Sequence, residues 1–273
     1  MIRPNLLRSI LPVAVLALLL ASCDGTEGGS ADTTLMQSAG TTLPEVTTTG
    51  PAMTTPASPI MIMHIGEGFT QGEVGTSTYR CFLDMMLNDI GVVFDFVGSR
   101  QKPMDGDVDD YGCPADFDPD HEAWFGAVAG GMETQKMTES VQALQPDVAL
   151  IHLGGTDVWR QKDPVGAAER LELFITGLQA ASPDITLLVA SLIPCRTPLP
   201  WCIEGYPAFN DAIASFASLS TDESTVMVVD MHTGISRDLL RSNNLSFTDE
   251  GDEIVAARWM AALEELDLIA TSN

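Results

Sequence analysis

Five short apolar runs, at residues 60–65, 92–97, 148–153, 185–193 and 225–230, are separated by stretches with helical periodicity. This alternation limits the possible folds more than any other feature of the chain. Leu171, Phe174, Ile175 and Leu178 fall at i, i+3, i+4 and i+7, and so share one helix face. Val255, Trp259, Ala262, Leu263 and Leu266 do the same near the end of the chain. Buried strands that alternate with helices predict a parallel sheet covered on both sides. The expected fold is therefore a three-layer α/β/α sandwich with a five-stranded parallel sheet, of flavodoxin-like type. Ligands of such sheets sit outside the carboxyl ends of the strands. Segments 66–72 and 154–157 directly follow the first and third runs, so they belong at that edge.

The N-terminal part reads differently. Arg3 and Arg8 precede an apolar run at 10–20 that is too short to span a bilayer as a mature helix. The run ends in Leu20-Ala21-Ser22-Cys23, which resembles the lipobox of bacterial lipoproteins. Residues 1–22 are thus expected to be a lipoprotein signal peptide, with Cys23 lipidated. The blander alternative is an ordinary secretory signal followed by a chance cysteine. Residues 23–58 are rich in Thr, Gly and Pro and hold no Lys or Arg. They cannot bury enough apolar surface to offset their ordering entropy, so they are expected to form a flexible linker to a single domain at 59–273. The expected location is the extracytoplasmic face of a membrane in a bacterial cell envelope, held by lipid chains.

Charge and cysteines narrow the partners. With 38 Asp and Glu against 13 Lys and Arg, the formal net charge is −25. Such a surface repels nucleic acid, which is excluded as a partner. Cys81, Cys113, Cys195 and Cys202 form an even set in a chain expected to be exported, which favours disulfides. Cys195 and Cys202 flank a short loop with two prolines and are expected to pair, leaving Cys81 with Cys113. No metal-site spacing is present, so neither a metal nor another cofactor is expected.

Four blocks carry the chemical signal: HIGEGFTQG at 64–72, DPDHEAWFGA at 118–127, IHLGGTDVW at 151–159 and NNLSFTDEGDE at 243–253. Their order and spacing resemble the SGNH (GDSL-type) hydrolases. Thr78-Tyr79-Arg80, the segment 95–99 and Pro146-Asp147 add a likeness to the carbohydrate-esterase branch, which includes acetyl-xylan esterase-like proteins. The resemblance spans about residues 60–266. It implies acyl transfer by a Ser activated by a His that an Asp orients, with backbone and Asn donors for the oxyanion.

This chain departs from that pattern at each reacting position. Gly68 stands at the place of the nucleophilic Ser and Thr156 at that of the oxyanion Asn. Asn243 and Ser246 stand at the places of the Asp and His. The oxyanion Gly is retained as Gly126, and the acid of the nucleophile turn as Glu67. Glu67, Gly68, Gly126, Gly155, Thr156, Asp157 and Ser246 are the expected pocket residues, and no catalytic set is expected among them.

Among the histidines, His64 is the best candidate for a replacement base. His152 reads as a satisfied structural residue, and His121 as part of the pocket rim. Thr70 and Ser246 are the nearest hydroxyls in sequence. Trp124 and Phe125 are expected to fill space in the vacated cleft. Three readings follow. The favoured one is a non-catalytic fold that keeps a cleft for a glycan or an acylated ligand. The second is an active carbohydrate O-acetyl esterase with a relocated catalytic set. The third is a carboxylate-based hydrolase using Glu67 and Asp157.

Overall fold

The computed structural model describes residues 58–195, 199–242 and 246–269. The expected signal peptide, Cys23, nearly all of the expected linker and Asn243 lie outside these. The predicted runs form β1 (Ile60–Gly66), β2 (Phe94–Val97), β4 (Val148–His152), β5 (Thr186–Ala190) and β6 (Val226–Val229). They make one parallel sheet in the order β2-β1-β4-β5-β6. A two-residue strand that the periodicity did not signal, β3 (Glu122–Ala123), adds to the far end of β1.

Among the described residues, seven α-helices surround the sheet: α1 (Gly68–Gln71), α2 (Tyr79–Asp89), α3 (Met132–Leu144), α4 (Gly155–Gln161), α5 (Pro164–Ala181), α6 (Pro200–Ile213) and α7 (Asp249–Glu265). Successive strand residues point to opposite faces, which produces two cores. Met63, Ile65, Ala149, Ile151, Leu187 and Val189 pack with helices α3 to α6. Ile62, Phe96, Leu150 and Leu188 pack with α2 and α7, where Trp259 is fully buried. The three-layer sandwich is thus present as predicted.

Local chemistry sets the helix starts. The Asp163 side chain accepts from the Gly166 amide ahead of Pro164, and the Thr248 hydroxyl from Gly251. Asp249, Glu250 and Asp252 in the first turn of α7 complement its dipole. Among the described residues, no helix is long and apolar enough to cross a membrane.

Both expected disulfides are present, Cys81–Cys113 and Cys195–Cys202, each with Cα atoms 5.8 Å apart. The first ties α2 to the long connection between β2 and β3. The second ties α6 to the segment after β5.

Candidate functional site

The strand order reverses between β1 and β4, which opens a crevice at their carboxyl ends. A cavity of about 290 Å³ lies there. Glu67, Gly68 and Phe69 enter it from the turn after β1, and His152, Gly155 and Thr156 from the end of β4. Phe125 and Gly126 come from the loop after β3, Trp159 and Arg160 from α4, and Trp201 and Tyr206 from α6. Cys195 also borders the cavity, so the second disulfide frames its mouth.

Two glycines shape the entry. Gly154 takes φ of 115° at the start of α4, in the left-handed region that side chains avoid. A Cβ there would come within 2.4 Å of the Phe209 ring. Gly126 takes φ of 75°, and a Cβ on it would meet Arg160 Nη2 at 2.8 Å.

Glu67 is the polar centre of the cavity floor. Its carboxylate accepts from the Thr156 amide at 3.0 Å and from the Thr156 hydroxyl. Burial pushes its pKa up to about 7, the Thr156 and Gly155 hydrogen bonds pull the other way, and the nearby Asp157 charge adds to the rise. Burial also raises the Tyr206 phenol, with the Glu67 charge adding to it. Glu67 and Thr156 thus join the turn after β1 to the first turn of α4.

The other expected pocket residues turn elsewhere. Asp157 is fully buried, accepts from the Ala129 amide at 2.9 Å and pairs with Arg170 at 3.2 Å. It holds α4 to α5 and to the loop before α3, and is not part of the lining. The Ser246 hydroxyl donates to Glu73 at 2.5 Å and also lies outside the lining. A carboxylate pair made of Glu67 and Asp157 therefore does not face the cavity.

The histidines redistribute as well. His64 points into the core beneath α2 and α7, with Nδ1 3.4 Å from the Tyr79 hydroxyl and its ring edge-on to Phe96. Burial, with the Arg80 charge, holds its pKa well below the ordinary value. It is no base for the cavity, because alternation along β1 sends residue 64 to the opposite face from Met63 and Ile65. His121 accepts from the Ala123 amide at 3.0 Å and contacts the Lys102 carbonyl at 3.2 Å, so it braces a loop.

His152 departs from its expected structural role. It lines the cavity, stacks on Phe69 at 6.1 Å, and its buried Nδ1 has no hydrogen-bond partner among the described residues. Burial lowers its pKa to about 4, which keeps it neutral over most of the pH range. Thr70 is a buried residue of α1, where it accepts from Tyr79 at 3.3 Å. Phe125 lines the cavity, as expected. Trp124 instead lies under the Arg100 guanidinium, 3.8 Å from its ring centroid, and donates to Glu122.

Sequence reasoning missed Trp159, Arg160, Trp201 and Tyr206. For the first two a signal existed. Each lies four residues beyond Gly155 or Thr156, so all four share one side of α4. For Trp201 and Tyr206 there was none, because α6 reaches the cavity only through tertiary packing.

Among the described residues, no group of three or more His, Cys, Asp or Glu could hold a metal ion. A doubly wound sheet with an aromatic-walled crevice after β1 and β4 defines an α/β protein of hydrolase architecture. Residues 105–254 match the GDSL-like lipase/acylhydrolase family, and the chain belongs to it. It is 23% identical over 230 residues to a multidomain esterase of Ruminococcus flavefaciens, covering 78% of this chain but only 30% of that protein. The fold is shared with a carbohydrate esterase family 3 structure from Talaromyces cellulolyticus, at a TM-score of 0.66 and 24% identity over 77% of this chain and 100% of that one. It is shared also with a Clostridium thermocellum family 3 carbohydrate esterase, at a TM-score of 0.62 and 22% identity over 77% and 97%.

Proposed function

We propose that this chain is a lipid-anchored protein of the bacterial cell envelope that binds a glycan or acylated ligand in its cleft without hydrolysing it. One observation carries the reading. Among the described residues, no histidine hydrogen-bonds a hydroxyl that lines the cavity, although the cavity remains open. Acyl transfer by this fold needs a nucleophile beside a base. Gly68 has no side chain, and Ser246 is turned to Glu73.

A second reading, an active esterase with a relocated set, has one contact behind it. The Thr156 hydroxyl donates to Glu67, whose raised pKa of about 7 would suit a general base. Against it, Glu67 is held by the backbone of its own partner, and among the described residues no third side chain hydrogen-bonds it.

Assays of the purified protein with p-nitrophenyl acetate and acetylated xylan separate the two. The expected result is no turnover above background, since loss of a triad member costs about 10⁴-fold in rate. Turnover that disappears in Thr156→Val and Glu67→Gln would establish the relocated set instead.

A further inference from the structure

Cations are scarce in this chain, and most of those described are committed. Arg80 and Arg258 donate to backbone carbonyls, and Arg170 and Arg241 to carboxylates. Arg160 makes neither an ion pair nor a hydrogen bond among the described residues. It nevertheless lines the cavity, with Nη2 lying over Gly126. Residue 126 is glycine because its backbone takes φ of 75°, and the absence of a side chain there leaves the guanidinium room against the backbone.

An unneutralised guanidinium at a cavity wall is a receptor for a planar anion, because its fork of N–H donors matches a carboxylate. Two large apolar faces stand beside it. Phe125 is 57% exposed and Trp159 is 53% exposed, and both line the same cavity. Exposed aromatic faces of this size favour contact with the apolar face of a ring. The remaining charged group of the floor, Glu67, has a pKa raised to about 7, so below neutral pH it is mostly uncharged and does not repel an anion.

We infer that the cleft takes an acidic saccharide, its carboxylate held by Arg160 and its ring set against Phe125 and Trp159. This rests on the binding role proposed above and specifies the ligand class for that same site.

Calorimetric titration of the full mature protein at low salt tests it, with a glucuronate-bearing xylo-oligosaccharide and a neutral one of equal length. The acidic saccharide is expected to bind roughly tenfold tighter or more, as charge-assisted hydrogen bonds do. Arg160→Gln should abolish that ratio, Arg160→Lys should keep part of it, and added salt should shrink it. Equal affinities in the parent, or a ratio that survives in Arg160→Gln, overturn the inference. Neutral binding without acidic preference overturns it alone and leaves the binding cleft standing. Failure of both saccharides to bind overturns the glycan reading of the cleft as well.

Discussion

Arg80 shows how much one buried residue can organise. It is fully buried and donates to the Thr70 carbonyl at 2.9 Å, the Pro119 carbonyl at 2.9 Å and the Tyr111 hydroxyl at 2.8 Å. Its guanidinium also lies 5.2 Å from the centroids of Tyr111 and Phe117. The turn after β1 and the loop before β3 are thereby fixed to α2, and the first of these supplies cavity wall. Arg80→Ala would leave several buried acceptors without donors, at a cost of about 3 kcal/mol or more. The melting temperature should fall by roughly 10 °C for a domain of this size. Arg80→Lys should recover little, because a point charge cannot reach three partners at fixed angles. Melting curves of the two variants read this directly.

The elements around the cleft are held by crosslinks of unequal span. Cys81 and Cys113 are 32 residues apart, whereas Cys195 and Cys202 are 7 apart. By loop-closure entropy the longer bridge stabilises by roughly 4 kcal/mol and the shorter by roughly 2 kcal/mol. Replacing both members of the first pair with Ala should lower the melting temperature more than doing so for the second. The shorter bridge borders the cavity, so its removal should instead show mainly in ligand affinity. Mass spectrometry of the unreduced protein should find both native pairs. The reverse order of melting temperatures would contradict this division of roles.

Across the whole molecule, buried ionisable groups oppose one another as pH changes. Burial raises the Glu67 pKa from 4.5 to about 7 and that of Asp252 from 3.8 to about 7. The folded state thus takes up protons that the unfolded chain does not, and stability rises as pH falls through about 7. His64, His121 and His152 behave oppositely, since burial lowers each below the ordinary 6.5. Below that value the unfolded chain gains three protons that these sites refuse, against the two held by the carboxyls, and stability declines again. The expected optimum lies near pH 6.5, with loss on both sides. Melting temperatures from pH 4 to 9 should trace this maximum, and Asp252→Asn should flatten the alkaline limb. A curve that rises steadily toward alkaline pH would contradict the assignment.

Much of the architecture is written locally. An apolar run such as 148–153 has no alternation, so it suits only a position buried on both sides, and the parallel sheet follows. Helix spacing at Leu171 to Leu178 and the cap at Thr248 act over a few residues, and they too are legible without a structure. That Gly68 brings no side chain to the turn after β1 is likewise plain from residue type alone. Direction and company were decided only by tertiary packing. His64 and His152 are similar residues on adjacent strands, yet one enters the core under α2 and the other enters the cavity. Asp157 and Glu67 are both acids of retained blocks, but Arg170 and the Ala129 amide draw one away from the cleft while the other faces it. Arg160 meets Gly126 only because α4 and the loop after β3 converge on the same strand ends. Such meetings depend on distances between segments far apart in the chain, and no local propensity encodes them.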